Sequence, residues 1–389
     1  MDTEFSEINE IWNLIIRVIK KMSMPSQEIK LLSPYSLANI TLKNRIVISP
    51  MCQYSAENGV ANDWHLAHYG ARAIGGAGLI IQEATAISAE GRISHGDLGI
   101  WNQKQIAPLK RIVNFVKQQG TKMGVQLSHA GRKASVQKPW EGRTKINPKD
   151  INGWQTYAPS AIPFSEGEAL PEALTLQQIQ QIIQDFKDAT VRAIEVGYDV
   201  IEIHAAHGYL LHQFYSPLSN KRNDKYGGSF ENRIRLTLEV VEAVQEVWGK
   251  EKPLLVRLSA TDWTENGWNI EDSLKLAAKL KNLGVHLIDT STGGNVIANI
   301  PVKPGYQVTF SSEIRNKIKI PTAAVGLIST PQQAEKILQN EEADLIFIAR
   351  ESIRNPQFPL YAAYVLQDKS INSWPKQYER AYPTHGEWH

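Results

Sequence analysis

His204, His207 and Tyr209 fall within six residues of one another in IEIHAAHGYLLHQF, residues 201–214, where an apolar run turns polar. Two imidazoles and a phenol so close together serve one of three chemistries. They can ligate a metal, satisfy one another as a polar cluster inside a core, or hold a polar substrate atom and hand it a proton. Zinc needs a further His, Cys or acid at hand. Glu202, the nearest acid, points to the opposite face of the strand from His204 or lies a layer deeper, so no metal is expected. The other strand ends of the chain decide between the remaining two readings.

Eight short β-branched runs read as buried parallel strands: NRIVIS (44–49), GLIIQEA (78–84), MGVQLSH (123–129), DVIEIHA (199–205), PLLVRLS (253–259), HLIDTS (286–291), TAAVGLI (322–328) and DLIFIAR (344–350). Amphipathic helical segments lie between them, several opened by Asn, Thr or Glu and closed by Gly. Eight strand-then-helix units predict an α/β fold, a (β/α)8 TIM barrel formed as a single domain, with long loops after strands 3 and 4 (130–174 and 206–230). A doubly wound dinucleotide fold is disfavoured, because no Gly-x-Gly-x-x-Gly follows any strand. Residues 1–23 are expected to be an N-terminal extension outside the barrel, which then occupies 24–389 with a C-terminal tail.

In such barrels chemistry sits at the C-terminal strand ends. The first strand ends in Ser49-Pro50-Met51-Cys52 and leads to Tyr54; the second ends at Glu83-Ala84; the third carries Gln126 and His129. The fourth delivers the His204, His207 and Tyr209 set and the fifth Arg257. The seventh ends at Gly326 and the eighth at Ala349-Arg350, where backbone amides and a cation commonly hold a phosphate. A phosphate handle, an amide side chain and an arginine, without a metal-ligand set, describe a bound phosphorylated cofactor.

Ser-Pro-Met-Cys-x-Tyr, Asp63-Trp64-His65 with His68-Tyr69, Gln126-x-x-His129-Ala130-Gly131-Arg132, His204-x-x-His207-Gly208-Tyr209-Leu210 and Asn232-Arg233 together resemble the old yellow enzymes, in their thermophilic-like branch. The resemblance runs over roughly residues 24 to 382. It implies an FMN-dependent ene-reductase, in which NADPH or NADH reduces FMN and the hydride then passes to the β-carbon of an activated alkene. Carried over by position, Ser49, Pro50, Met51 and Cys52 would run along the flavin, with Ala84 and Gln126 near its pyrimidine side. Arg257 would lie near N1 and O2, and Gly326, Ala349 and Arg350 at the phosphate. His204 and His207 would be two donors to the substrate's carbonyl or nitro oxygen, and Tyr209, with an unperturbed phenol pKa of about 10, would protonate the α-carbon. Tyr54 would line the substrate pocket. Arg380, in Gln377-Tyr378-x-Arg380, resembles a residue reaching a neighbouring subunit's site, which implies a homodimer or homotetramer. The family often has Gly-Arg after the eighth strand, so Ala349 asks the phosphate to approach past a methyl group. Cys52 is expected to adjust the flavin potential. His65 and His68 are expected to cap or pack the first helix, and Trp101, Trp263 and Trp268 to pack.

Composition narrows the rest. A net charge of +2 from well-mixed charges, without a basic run, makes nucleic acid an unlikely partner in favour of a small-molecule alkene. Cys52 is the only cysteine, which excludes a disulfide and the cysteine-bound iron–sulfur cluster that relatives acting on dienoyl thioesters or amines require. It also suits a reducing cytoplasm. The apolar patch near the N-terminus is too short and interrupted to span a membrane. A barrel aldolase or isomerase would call for a Schiff-base lysine at a strand end, and none stands there. The remaining alternative is an FMN-binding protein that stores or senses flavin without turning over alkenes.

Overall fold

The computed structural model describes residues 28–368 and 374–383. The N-terminal extension expected over residues 1–23 and the last residues of the tail, 384–389, lie outside them. Among the described residues, eight parallel strands close into a barrel. They are β1 (Ile46–Ile48), β2 (Leu79–Ala86), β3 (Lys122–Ser128), β4 (Val200–Ala205), β5 (Leu254–Ser259), β6 (Leu287–Ser291), β7 (Thr322–Ala324) and β8 (Leu345–Ile348). Ring closure is made by β8 on β1, with Ile346 opposite Ile46 and Ile348 opposite Ile48. Nearly every strand residue is buried, because helices cover the outside and side chains fill the inside, and this is why the strands read as unbroken apolar runs.

Helices α1 (Asp63–Ile74), α2 (Ile106–Gln118), α3 (Leu176–Val196), α4 (Phe230–Trp248), α5 (Ile270–Asn282), α6 (Val308–Ile318), α7 (Pro331–Gln339) and α8 (Phe358–Val365) follow the strands in turn. Their starts are chemically marked. Asn62 accepts from the Trp64 N–H while its own N–H donates to the His65 ring, so His65 completes a capping box as expected of it. Thr175 makes a second such box with Gln178 at α3, and the side chains of Ser229, Asn269 and Thr330 each accept a backbone N–H at the starts of α4, α5 and α7. In α3 the buried residues Ile179, Ile182, Phe186, Ala189, Ala193 and Val196 recur every three or four positions, one stripe laid against the barrel. A hairpin, Tyr35–Leu37 against Ile40–Leu42, closes the N-terminal end of the barrel: its Leu37 and Leu42 pack with Leu79, Val200, Leu255, Leu287 and Leu345.

Three strands end two residues or more away from the sequence reading. β7 stops at Ala324 rather than 328, because Gly326 (φ 124°) and Leu327 (φ 51°) leave extended conformation. β8 stops at Ile348, and Arg350 opens a short helix, Arg350–Arg354. β2 continues to Ala86, and its pairing with β3 shifts register between Gln82 and Ala84. The loop after β3 is ordered by two 3-10 turns and a two-residue strand pair, Tyr157–Ala158 with Glu172–Ala173. Trp140 in that loop is 65% exposed, its ring edge-on to Tyr54 and beneath the Lys138 ammonium. Trp268 is fully buried and donates to Ser273 Oγ, while Trp263 packs edge-on to Phe310, so both tryptophans have packing roles. Among the described residues no helix is long and apolar enough to cross a membrane.

Candidate functional site

Strand alternation sends Val200, Glu202 and His204 of β4 into the barrel, with Glu202 one layer beneath His204. At the strand's end the backbone folds back through two left-handed residues, His207 (φ 59°) and Gly208 (φ 72°). Position 208 admits only glycine, since a Cβ there would stand 2.1 Å from the Gly294 carbonyl oxygen. The reversal gathers three rings. The His207 ring stands edge-on to His204 at 5.1 Å and that of Tyr209 at 4.9 Å. Polar contacts lock the loop in place: the His207 N–H donates to Ser259 Oγ at 2.9 Å, and Lys133 Nζ donates to the carbonyls of His207 (2.8 Å) and Gly294 (2.7 Å).

Burial, and next the charge of Arg257, holds both imidazoles well below the usual histidine range, so both are neutral at pH 7. A neutral ring carries one proton. His204 Nδ1 accepts from the Ala206 N–H at 3.3 Å, which leaves the proton on Nε2 as a free donor. His207 Nε2 lies 2.7 Å from Ser291 Oγ, and that hydroxyl is itself 3.3 Å from Gln307 Oε1. When the hydroxyl gives its hydrogen to the closer partner, the ring proton sits on Nδ1. The expectation of an unperturbed Tyr209 phenol is overturned. Burial first, then the neighbouring ionisable groups Cys52 and Asp97, raises it well above its ordinary value, and the ring packs against Ile93, Ala130 and Ala134.

Below this mouth a polar floor crosses the barrel. The register sets His204 beside Arg257 and Arg257 beside Asp289. Arg257 Nη2 donates to Ser49 Oγ at 3.2 Å, and its Nε lies 2.9 Å from Asp289 Oδ2. Gln126 Nε2 donates to Glu202 Oε1 at 2.7 Å. Pro50, Met51, Cys52 and Tyr54 rise from the end of β1, all half-buried. The irregularity in β2 directs Glu83 away from the mouth, where it accepts from the Gln53 N–H (2.7 Å) and the Tyr69 hydroxyl (2.8 Å), and leaves Ala84 level with Gln126. The Cys52 thiol is pushed up by burial and next by Asp97 and Glu83, so it is protonated, with the Tyr54 hydroxyl as its hydrogen-bond partner.

On the opposite side, Gly326, Leu327, Ala349 and Arg350 line a cavity of about 170 Å³ together with Ser291, Gln307 and Ser329. Gly326 and Leu327 have left-handed backbone of the kind that forms anion-binding nests, and Arg350 supplies the cation, so the lining fits a phosphate. Arg257 is held at the floor of the mouth by Asp289 on its Nε side and Ser49 on Nη2, so its buried guanidinium offers positive charge to the rest of such a ligand. A larger cavity of about 580 Å³ runs beside α1 and Arg354–Gln357, away from the histidine pair. Arg380 is exposed on the 3-10 turn Lys376–Ala381, whose Tyr378 lines that outer cavity, so its carried-over role calls for a second copy of the chain.

Sequence reasoning overlooked Lys133, Ser291, Gln307 and Asp289. An acid at an inward position of an otherwise apolar strand, in HLIDTS, was the available signal for Asp289. Lys133 gave none, because its role depends on a chain reversal over 70 residues away. Burial, and next Arg132 and Arg143, pulls its ammonium down to about 7, with Phe164 at 4.4 Å and Tyr209 at 5.4 Å from the nitrogen. Among the described residues no group of His, Cys, Asp and Glu gathers to hold a metal ion.

Residues 30–369 match the family model described as NADH:flavin oxidoreductase / NADH oxidase family. The chain is 52% identical over 355 residues to an NADPH dehydrogenase of Listeria innocua, covering 91% of this chain and 99% of that protein. It is 51% identical, with the same coverage, to an NADPH dehydrogenase of Bacillus velezensis. Among solved structures it is similar to morphinone reductase in complex with tetrahydroNAD, at 30% identity and TM-score 0.72 over 86% of this chain and 91% of that one. It is also similar to the old yellow enzyme homologue from Zymomonas mobilis, at 28% identity and TM-score 0.73 over 91% and 99%.

Proposed function

Because the chain belongs to the NADH:flavin oxidoreductase / NADH oxidase family, and is therefore an NAD(P)H-dependent oxidoreductase that uses FMN, we propose that it reduces the carbon–carbon double bond of α,β-unsaturated carbonyl and nitro compounds. The observation that carries this reading is the convergence of two neutral imidazoles and a protonated phenol on one locked loop above Arg257. Ser49, Pro50, Met51, Cys52, Ala84, Gln126 and Arg257 would line the isoalloxazine, and Gly326, Ala349 and Arg350 would hold the phosphate. Bound FMN, once reduced by NADPH or NADH, supplies the hydride.

The remaining chemistry belongs to side chains. His204 Nε2–H and His207 Nδ1–H donate to the carbonyl or nitro oxygen, where negative charge grows as the β-carbon receives hydride. One such donor is worth about 3–4 kcal/mol. Ser291 matters here because it sets the His207 tautomer: with its hydrogen on His207 Nε2, rather than on Gln307 Oε1, the ring proton is directed toward the substrate. Tyr209 delivers a proton to the α-carbon. Its raised pKa makes it a weaker acid than a free phenol but keeps it protonated throughout the working range. Tyr54 forms one wall of the pocket, and Arg380 of a second copy would form another, so the working unit is a homodimer or homotetramer in the cytoplasm.

Anaerobic NADPH oxidation by the purified FMN holoenzyme tests the reading. It should run steadily only when 2-cyclohexenone is added. Oxidation that the enone does not accelerate would leave a flavin store or sensor in place of an ene-reductase.

A further inference from the structure

Two carboxyl groups beneath Arg257 have no part in the reaction described so far. Glu202 and Asp289 are each 0% exposed, set between the apolar lower layer of the barrel and the mouth. Gln126 satisfies Glu202 Oε1, but Glu202 Oε2 and both oxygens of Asp289 have no hydrogen-bond donor in ordinary geometry. Arg257 Nε stands 2.9 Å from Asp289 Oδ2, yet its N–H does not point along that line. The groups facing the pair are Gln126 from β3, His204 from β4 and Arg257 from β5, with Ser49, just past β1, reaching it through Arg257. Gln126 and Ser49 are uncharged and the imidazole is neutral, so one guanidinium meets two carboxyls away from water.

Glu202 and Asp289 lie within side-chain hydrogen-bonding reach of each other. Two ionised carboxyls so placed offer only acceptors to each other, whereas one proton between them gives the facing oxygens a partner and brings the charge of the floor to zero. We infer that Glu202 and Asp289 share a single proton, with Glu202 donating it to Asp289 and Asp289 holding its negative charge against Arg257. The direction of their titration agrees: burial and next Asp289 raise Glu202, while burial raises Asp289 against the opposing pull of Arg257. The pair acts as a positioning device for Arg257, whose charge is offset by one carboxylate and not by two. The consequence for the cofactor rests on the proposed placement of Arg257 at the flavin; the shared proton itself does not.

Infrared spectroscopy of the oxidised FMN holoenzyme at neutral pH reads that proton as a carboxylic-acid C=O band. The band should appear in the difference between wild type and Glu202→Gln, and at the same position in the difference between wild type and Asp289→Asn. In either variant the one remaining carboxyl ionises against Arg257. A wild-type band that persists in Asp289→Asn means a lone protonated Glu202 and overturns the sharing, as does the absence of a band difference in Glu202→Gln. Should Asp289→Asn fail to fold, Asp289→Glu, which keeps a carboxyl against Arg257, should shift the band, and a band unmoved there means a lone protonated Glu202. The pH dependence of melting checks that Glu202 carries the proton at all. A raised Glu202 contributes stability below the ordinary carboxyl range of about 4.3 that is lost as pH rises toward neutrality and beyond. Glu202→Gln should remove that part of the decline, and an unchanged slope would overturn the inference. These readouts do not involve alkene turnover, so a protein that holds the proton but ignores enones defeats the ene-reductase reading alone.

Discussion

Leu255 and Leu287 pack inside the lower barrel with Val47, Leu79, Val200 and Leu345, while two positions further along the same strands Arg257 and Asp289 face inward beside His204. Backbone, period and burial are the same on both levels, and only the side-chain chemistry changes. The lower layer uses the inward positions to exclude water and close-pack. The upper layer uses them to hold desolvated polar groups that need exact partners, which it finds in Ser49, Gln126, Ser259, Ser291 and Lys133. The contrast implies that damage below should appear as lost stability and damage above as lost chemistry.

The largest effect expected of that division is on turnover. Replacing His204 and His207 together by Ala should cost at least about 10²- to 10³-fold in enone reduction, the loss that follows removal of a single good oxyanion donor. FMN should stay bound and the melting temperature nearly unchanged. A charge-transfer band with phenolic ligands, followed by titration, should vanish in the double variant, and its survival would break the assignment of the upper layer. Leu255→Ala probes the lower layer: denaturant melts should show about 2–5 kcal/mol of destabilisation from the cavity. The flavin spectrum and turnover of the folded protein should match those of the parent.

Tyr209→Phe should slow the oxidative half-reaction with enones about 10²-fold, near the lower end of general acid catalysis. Stopped-flow traces with nitroalkenes should slow less, because a nitronate can leave unprotonated. Since burial raises the phenol, no alkaline loss of rate from its ionisation should appear in the range where the protein is folded. Equal slowing of both substrates would move the acid role elsewhere. Cys52→Ala should have the smallest effect: normal folding and a shift in flavin midpoint potential, read by spectroelectrochemistry. An unchanged potential would make Cys52 packing only.

How legible each layer was follows from the same contrast. Period-2 alternation and apolar continuity are local, so the eight strands, their order and the lower core could be read directly from runs such as DVIEIHA and PLLVRLS. The mouth was legible where its residues cluster in sequence, as His204, His207 and Tyr209 do. It was not legible where partners come from distant strands: the Ser291 hydroxyl on His207, the Lys133 ammonium on its carbonyl and the Asp289 carboxyl beside Glu202 depend on closure of the ring. The Tyr209 acidity was misjudged for the same reason, since its surroundings, Ile93, Ala130, Ala134 and Cys52, come from far away in the chain. The early stop of β7 is a different case, because the left-handed Leu327 has no warning in its residue type.

The contact between position 208 and the Gly294 carbonyl bears on how this mouth could be remodelled. In a mutational library built over residues 204–210, nearly every change at Gly208 would push against the backbone of a separate loop, 2.1 Å away, and would be lost whatever it offered a substrate. Diversity would be more productive at Tyr54, Trp140 and Phe164, whose rings border the mouth from half-buried or exposed positions on long connections and carry none of the backbone that holds the histidines. New substrate preferences should therefore arise from the loops after β1 and β3, while the turn after β4 stays as it is.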